Sequence, residues 1–246
     1  MPALPAYKDH TYRRRVQPQI LISFRILVKE TDLQISSVKN LDKQAKDLVH
    51  NYRSQIEEYI QRKPDFMSTL LPYPEDPFAP EIVKDMISSS GVFNVGPMAA
   101  VAGAIAEFVG KGLLEYTGEV IVENGGDIFL KTNRPATVSI FAGNSRLSDK
   151  LGVIIDPGQM PAGICTSSGT VGHSLSLGIA DAVCIMSQSA SIADAAATAL
   201  GNKITDKSKL QKEIDIIRES KDIKGGIVIV GKTMATWGEV KLVKLG

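Results

Sequence analysis

Residues 191–202, SIADAAATALGN, carry one carboxylate, Asp194, and one hydroxyl, Thr198, four residues apart among small apolar side chains. On a helix, positions i and i+4 share a face one turn apart, so the two oxygens point at the same neighbour. A carboxylate and a hydroxyl are hard ligands that suit Mg²⁺, which completes its shell with water and phosphate oxygens. The same pair also admits a quieter role, with Asp194 capping a helix and Thr198 bonding back to the preceding turn. Three other stretches carry chemistry. In VENGGDI the glycines Gly125 and Gly126 suit a hairpin turn, and they leave Glu123, Asn124 and Asp127 at one end of a strand, where an amide or carboxylate can face a ligand. In GICTSSGTVGHSLSLG, Thr166, Ser167, Ser168, Gly169 and Thr170 offer hydroxyls and free N–H groups that would cradle phosphate oxygens. It has no lysine and no Walker spacing, which excludes a P-loop. His173 in this stretch is expected beside the site, and Cys165 with His173 as its base would make a thiol nucleophile. In VGPMAAVAGAIAE, residues such as Gly103 and Ala104 leave almost no side chain on any face. Either a flat ligand or another backbone can approach closely there.

The elements that must position these groups can be read from periodicity. Residues 16–28 and the following TDLQIS form a hairpin, and apolar positions recurring at three and four residues from 40 to 62 form an amphipathic helix that Pro64 ends. A connector over residues 64–80 holds four prolines in LLPYPEDPFAP, and a short helix follows near 81–89. The core over residues 91–202 begins with the Ala/Gly helix. The segments EVIVE, DIFLK, ATVSIFAG, LGVIID and DAVCIM follow as short strands, whose turn signals indicate antiparallel or mixed pairing. The helix of residues 191–202 comes next. A charged helix at 207–220 and strands GGIVIVG and GEVKLVKL close the chain at residue 246. The fold class is α+β, one domain over residues 1–246 with a mainly antiparallel sheet covered by small-residue helices.

Composition limits the function classes. The 28 Lys and Arg balance 27 Asp and Glu, so no basic surplus points to nucleic acid. The apolar run over residues 96–114 is interrupted by Glu107 and Lys111 and built from Ala and Gly, which disfavours a membrane span. The first residues lack the pattern of a secretion signal, so a cytoplasmic location with reduced Cys165 and Cys184 is expected.

Taken in order, GAIAE, VENGGDIFL, ICTSSGT and SASIADAAATALGN resemble the ApbE family of FAD:protein FMN transferases, over roughly residues 96–202. With KETDLQI, VGPMAAVAGAIAE and TSSGTVGHSLS included, the chain resembles still more an archaeal and anaerobic-bacterial branch of the ApbE-like superfamily. The resemblance implies a T-fold-like architecture and a flavin nucleotide, FAD or FMN, as the phosphate-bearing ligand. It also implies Mg²⁺ held by Asp194, Thr198 and a backbone carbonyl of GAIAE, an acceptor protein, and assembly as a homo-oligomer. Catalytic roles then fall to His173 and Asp194. Ligand contacts fall to Gly103, Ala104, Glu107, Asn124, Gly125, Gly126, Asp127, Thr166, Ser167, Ser168, Gly169 and Thr170, so all four segments should meet at one site. Two departures stand out: Glu107 occupies the place of a family lysine, where it would repel phosphates or need a metal of its own, and no Asp-Pro-x-Thr-Gly follows His173. Two other functions fit the sequence. One is an accessory or binding protein of anaerobic sulfur or amino-acid metabolism, and the other is an enzyme of another class using Cys165 or His173.

Overall fold

The computed structural model describes residues 21–143, 145, 147–168 and 178–245. Expectations for residues 16–20 and for Gly169, Thr170 and His173 therefore lie outside the described residues.

Strands β1 (Ile22–Val28) and β2 (Thr31–Ser37) form the expected hairpin, and α1 (Asp42–Arg62) stops two residues before Pro64. The proline connector contains an unanticipated turn of helix, α2 (Asp65–Ser68), before α3 (Glu81–Val92). A 3-10 turn, Pro97–Ala100, then leads into α4 (Val101–Leu114). After β3 (Val120–Asn124) and β4 (Asp127–Lys131) come β5 (Ala136–Ser139), β6 (Leu151–Ile155), β7 (Ala162–Ser167), β8 (Ala182–Ser187), α5 (Ala190–Lys203) and α6 (Leu210–Ile217). The chain continues through β9 (Ile223–Val230), β10 (Thr233–Gly238) and β11 (Lys241–Lys244).

Eight strands form one sheet in the order β1-β2-β3-β4-β7-β8-β9-β10, and β11-β6-β5 form a second. All pairings among the described residues are antiparallel. The two faces of the large sheet explain two kinds of sequence pattern. Edge strand β1 buries Ile26 and Val28 but exposes Leu27 between them, a one-sided alternation. Central strands β3, β4 and β8 are nearly continuous apolar runs because both faces are covered. On one face Val122, Phe129, Val183 and Ile185 pack under the helices. On the other, Ile121, Leu130, Ile164 and Ile227 meet Val138, Val153 and Ile155 of the small sheet. That second layer of strands is not evident in the sequence, where only helices are expected as cover.

The small residues of α4 and α5 let these helices lie close to each other and to the sheet. A Cβ at Gly103 would sit 2.3 Å from the Ala190 carbonyl oxygen, and one at Gly110 would sit 2.2 Å from the Phe129 ring. At Gly112 the neighbour is Leu48 of α1. Ala104 is fully buried. At these positions of α4, protein makes the close approach that the small residues permit, not a flat ligand. The segment Pro97–Leu114 is the one candidate membrane span by length and composition among the described residues, and it is packed in this core.

Candidate functional site

The N-termini of α4 and α5 meet over the β4–β7 pair, and each is capped by a carboxylate from the other helix. The first N–H groups of a helix have no intrahelical acceptor. In α4 the Val101 N–H bonds to Met98 O of the preceding turn. The Gly103 N–H bonds to Asp194 Oδ2 at 2.9 Å, and the Ala102 N–H also donates to the Asp194 carboxylate. In α5 the Ile192 N–H bonds to the hydroxyl of the N-cap residue Ser189, at 3.3 Å. The Ala190 and Ser191 N–H groups donate to Glu107 Oε2 at 2.6 and 3.3 Å. Ser189 Oγ donates to the same oxygen at 2.8 Å, and Lys111 Nζ lies 2.7 Å from Oε1. Asp85 of α3 accepts the Ser191 hydroxyl.

Two expectations change here. Asp194 caps a helix, but that helix is α4 and not its own. Glu107, expected beside ligand phosphates, has both carboxylate oxygens engaged by the α5 N-terminus and Lys111. Its 3% exposure leaves no oxygen facing a ligand.

Asp194 has a second carboxylate for company. The β3–β4 hairpin turns at Gly125 and Gly126, whose φ values of 66° and 107° are those a primed turn requires, and it pairs Asn124 with Asp127. Both side chains then point to the helix face. Asn124 Nδ2 donates to Ala102 O at 3.1 Å. Asp127 is buried beside Cys165, its pairing partner on β7, and accepts from the Thr166 N–H. Burial pushes the Asp127 carboxyl up to about 7, and the Glu123 charge adds to the effect. Asp194 is pushed well above the usual carboxylate range, first by burial and then by the Asp127 charge. Neither carboxylate has a lysine, arginine or histidine partner among the described residues.

The remaining expected residues divide by strand parity. Ser167 shares the helix face with Cys165, and its Oγ would lie 3.7 Å from a Cβ at Gly201 of α5. The Thr166 side chain lies on the opposite face, where its hydroxyl bonds to Cys184. Only the Thr166 backbone belongs to the site. Ser168 Oγ is turned to Asp181 O at 2.7 Å. Glu123 turns away on the other face of β3 and accepts the Gly126 N–H at 2.9 Å. Thr198 is half-buried one turn along α5 from Asp194.

Cys165 is a poor nucleophile in these surroundings. Its thiol is fully buried and lies within reach of two acceptors, the Ala190 carbonyl oxygen at 3.2 Å and the Asp127 carboxylate. Burial, reinforced by both aspartates, pushes its pKa well up, so it remains a neutral thiol. Sequence reasoning missed Asp85, Ser189 and Lys111. Ser189 has a usable signal, a serine immediately before an apolar helix, whereas the other two become relevant only through packing.

Outside the cluster, a concavity of about 170 Å³ beside Leu200 and Ile217 and one of about 520 Å³ beside Tyr59 and Asp76 contain none of these residues. Among the described residues, GAIAE, NGGD, DAAAT and the backbone of residues 165–167 meet in the Asp127–Asp194 region.

Comparison with known proteins bears on the family and the fold. A family model described as AbpE bacteria matches residues 13–232. The UPF0280 protein of Methanosarcina barkeri is 40% identical over 198 residues, spanning 80% of this chain and 78% of that protein. That of Methanothrix thermoacetophila is 43% identical over 199 residues, spanning 80% and 83%. Among solved structures, a variant of the flavin transferase ApbE from Vibrio cholerae superposes with a TM-score of 0.57 at 15% identity, covering 88% of this chain and 96% of that one. The ApbE protein of Thermotoga maritima gives 0.55 at 10% identity, covering 89% and 97%. At such identities the superpositions establish a shared fold, and membership rests on the sequence matches: the chain belongs to the AbpE bacteria family, in a branch it shares with the archaeal UPF0280 proteins.

Proposed function

We propose that this protein binds a flavin nucleotide together with Mg²⁺ at the Asp127–Asp194 site and transfers FMN from FAD to a hydroxyl of an acceptor protein. The observation that carries the proposal is the pair of buried carboxylates with no cationic side chain beside them among the described residues. Two like charges held in a protein interior must share a proton or face a cation. The donor set favours Mg²⁺ over softer metals. The described residues contain no group of three His, Cys, Asp or Glu that could hold a metal, while Mg²⁺ needs only one or two carboxylates and takes its other ligands from hydroxyl, carbonyl, water and phosphate oxygens. Asp194 and Thr198 would hold the ion, with Asp127 beside it. Bound there, it would neutralise charge on the diphosphate during transfer.

The chain's own groups have separate tasks in this reading. Asn124 anchors the Ala102 carbonyl, so the backbone of the α4 N-terminus keeps a fixed position against Asp194. Thr166 N–H and the Cys165 thiol hold the Asp127 carboxylate in place. In the overall reaction a phosphoester bond to the acceptor hydroxyl forms as the diphosphate bond of FAD breaks. AMP leaves, and the hydroxyl proton is released. A protein that binds the nucleotide without transferring it is the second reading. It is favoured by Glu107, a carboxylate committed to α5 at the position where the resembling transferases have a lysine.

The decisive experiment combines FAD fluorescence titration, with and without Mg²⁺, and AMP release from FAD. Asp194→Asn should lose most of the Mg²⁺-dependent affinity, since a neutral amide replaces an anionic ligand, and Thr198→Val should lose less. AMP release with covalent FMN on an added protein supports transfer, and Mg²⁺-dependent binding without AMP supports the binding protein. FAD affinity that ignores Mg²⁺ in wild type and both variants would remove the basis for the site.

A further inference from the structure

The structure assigns Glu107 a positioning role: it fixes where α5 sits on α4 and thereby where Asp194 is held. The inference rests in part on the metal-site reading above, but its first observable does not. Glu107 and Asp194 form a reciprocal pair of caps. Glu107 of α4 takes the Ala190 and Ser191 N–H groups of α5, and Asp194 of α5 takes the Ala102 and Gly103 N–H groups of α4. Each carboxylate lies in the second turn of its own helix, so neither bond can form unless the two helices are in one particular register.

The steric frame allows little alternative. Ala190 is wedged between two glycines, Gly103 of α4 and Gly163 of β7, at each of which a Cβ would come within 2.4 Å of its backbone. Close contact alone does not choose a position along the helix axis, because small smooth surfaces can slide. The directed bonds of Glu107 do choose one. Oε2 gathers three donors at 2.6, 2.8 and 3.3 Å, all from consecutive residues 189–191. Asp85 adds a hold from α3 through the Ser191 hydroxyl. Asp194 lies one turn beyond this anchored end, so an α5 freed at Ala190 would carry the Asp194 carboxylate away from Gly103. Lys111, exposed on the same helix as Glu107, pairs with its Oε1 and lies over the Phe108 ring.

The test uses ¹⁵N-labelled full-length protein and reads amide hydrogen exchange at Gly103, with Val228 in β9 as a remote reference, alongside Mg²⁺ affinity by calorimetry with the metal alone. Glu107→Ala should speed Gly103 exchange at least tenfold relative to Val228 and weaken Mg²⁺ by a similar factor. Glu107→Gln, which keeps an acceptor oxygen, should recover most of both. If Glu107→Ala does not fold, Glu107→Asp, one methylene too short to reach Ala190, carries the same comparison. Equal acceleration at Gly103 and Val228 would mean that Glu107 only stabilises the fold, and unchanged Gly103 exchange would mean that it positions nothing. Either result overturns the proposal. A wild type that ignores Mg²⁺ would refute the metal site while leaving the exchange comparison to decide the role of Glu107.

Discussion

Replacing Gly103 by alanine separates the cross-capped packing from ordinary helix behaviour, because the two predict opposite signs. In an unconstrained helix, Gly→Ala is stabilising by roughly 1 kcal/mol, through a less flexible unfolded chain and better helix propensity. In this structure the new Cβ would lie 2.3 Å from the Ala190 carbonyl oxygen, 2.7 Å from its carbon and 2.8 Å from Asp194 Cβ. The first distance is about 0.7 Å inside the 3.0 Å below which Cβ atoms essentially never come. The obstacle is backbone, so no rotamer change relieves it. The α5 backbone cannot retreat either, since Ala190 is already pressed on Gly163.

Overpacking of this kind costs about 1–3 kcal/mol, and separating the helices also stretches the charge-assisted bonds to Asp194, each worth about 1.5–3 kcal/mol. Against the propensity gain, a net loss of about 2 kcal/mol is expected, a fall in Tm of roughly 4–8 °C for a protein of this size. Urea denaturation should register it as a lower midpoint at unchanged m. A Gly103→Ala protein as stable as wild type, or more stable, would refute the close packing of α4 on α5 and with it the geometry assigned to Asp194.

Two further outcomes follow from the electrostatics. Asp127 and Asp194 have folded pKa values above the ordinary 3.8, about 7 for Asp127, so the native state binds more protons than the unfolded chain between these limits. The Asp127 contribution is fully present below pH of about 4 and is lost as pH rises through about 7, and that of Asp194 is likewise lost on the alkaline side; urea titrations of metal-free protein should record this decline, and Asp127→Asn should flatten it, whereas an unchanged slope would contradict the burial of the pair. Cys165 and Cys184 are both buried with raised pKa values, so iodoacetamide at pH of about 8 should leave the native protein unlabelled and modify both residues in denaturant. Rapid native labelling at Cys165 would reopen the thiol mechanism.

Residues that act through local backbone chemistry could be read from the sequence, and those that act across the fold could not. The turn at Gly125-Gly126 and the helical face shared by Asp194 and Thr198 depend only on near neighbours, and both are present as expected. Strand β7 reaches Ser167, although the hydroxyls at 166–168 suggest a ligand cradle, because β8 pairs with it as far as Ser167 while β4 pairs only to Cys165. That pairing also reverses the reading of Thr166. In a loop its hydroxyl is free to reach a ligand, but in a strand parity sends it to the face opposite Cys165. Strand β10 escaped notice for a related reason: TMATWG shows no run of buried residues, since it lies at the sheet edge and is mostly exposed.

Glu107 is the sharper case. By its place in GAIAE it lies near the site, and the structure keeps it there, but the direction of its side chain is decided by Ala190, 83 positions further along the chain. A carboxylate in a nucleotide site reads as repulsion toward phosphate when only its own helix is considered. Once α5 is docked, it faces an N-terminus whose unbonded donors and dipole need an anion. The charge that looks unfavourable for the ligand thus serves the helix that carries Asp194. Asp194 does the same for α4. Two carboxylates that sequence logic would assign to one ligand each hold the other's helix, and the burial this requires is the first cause that raises the pKa of Asp194.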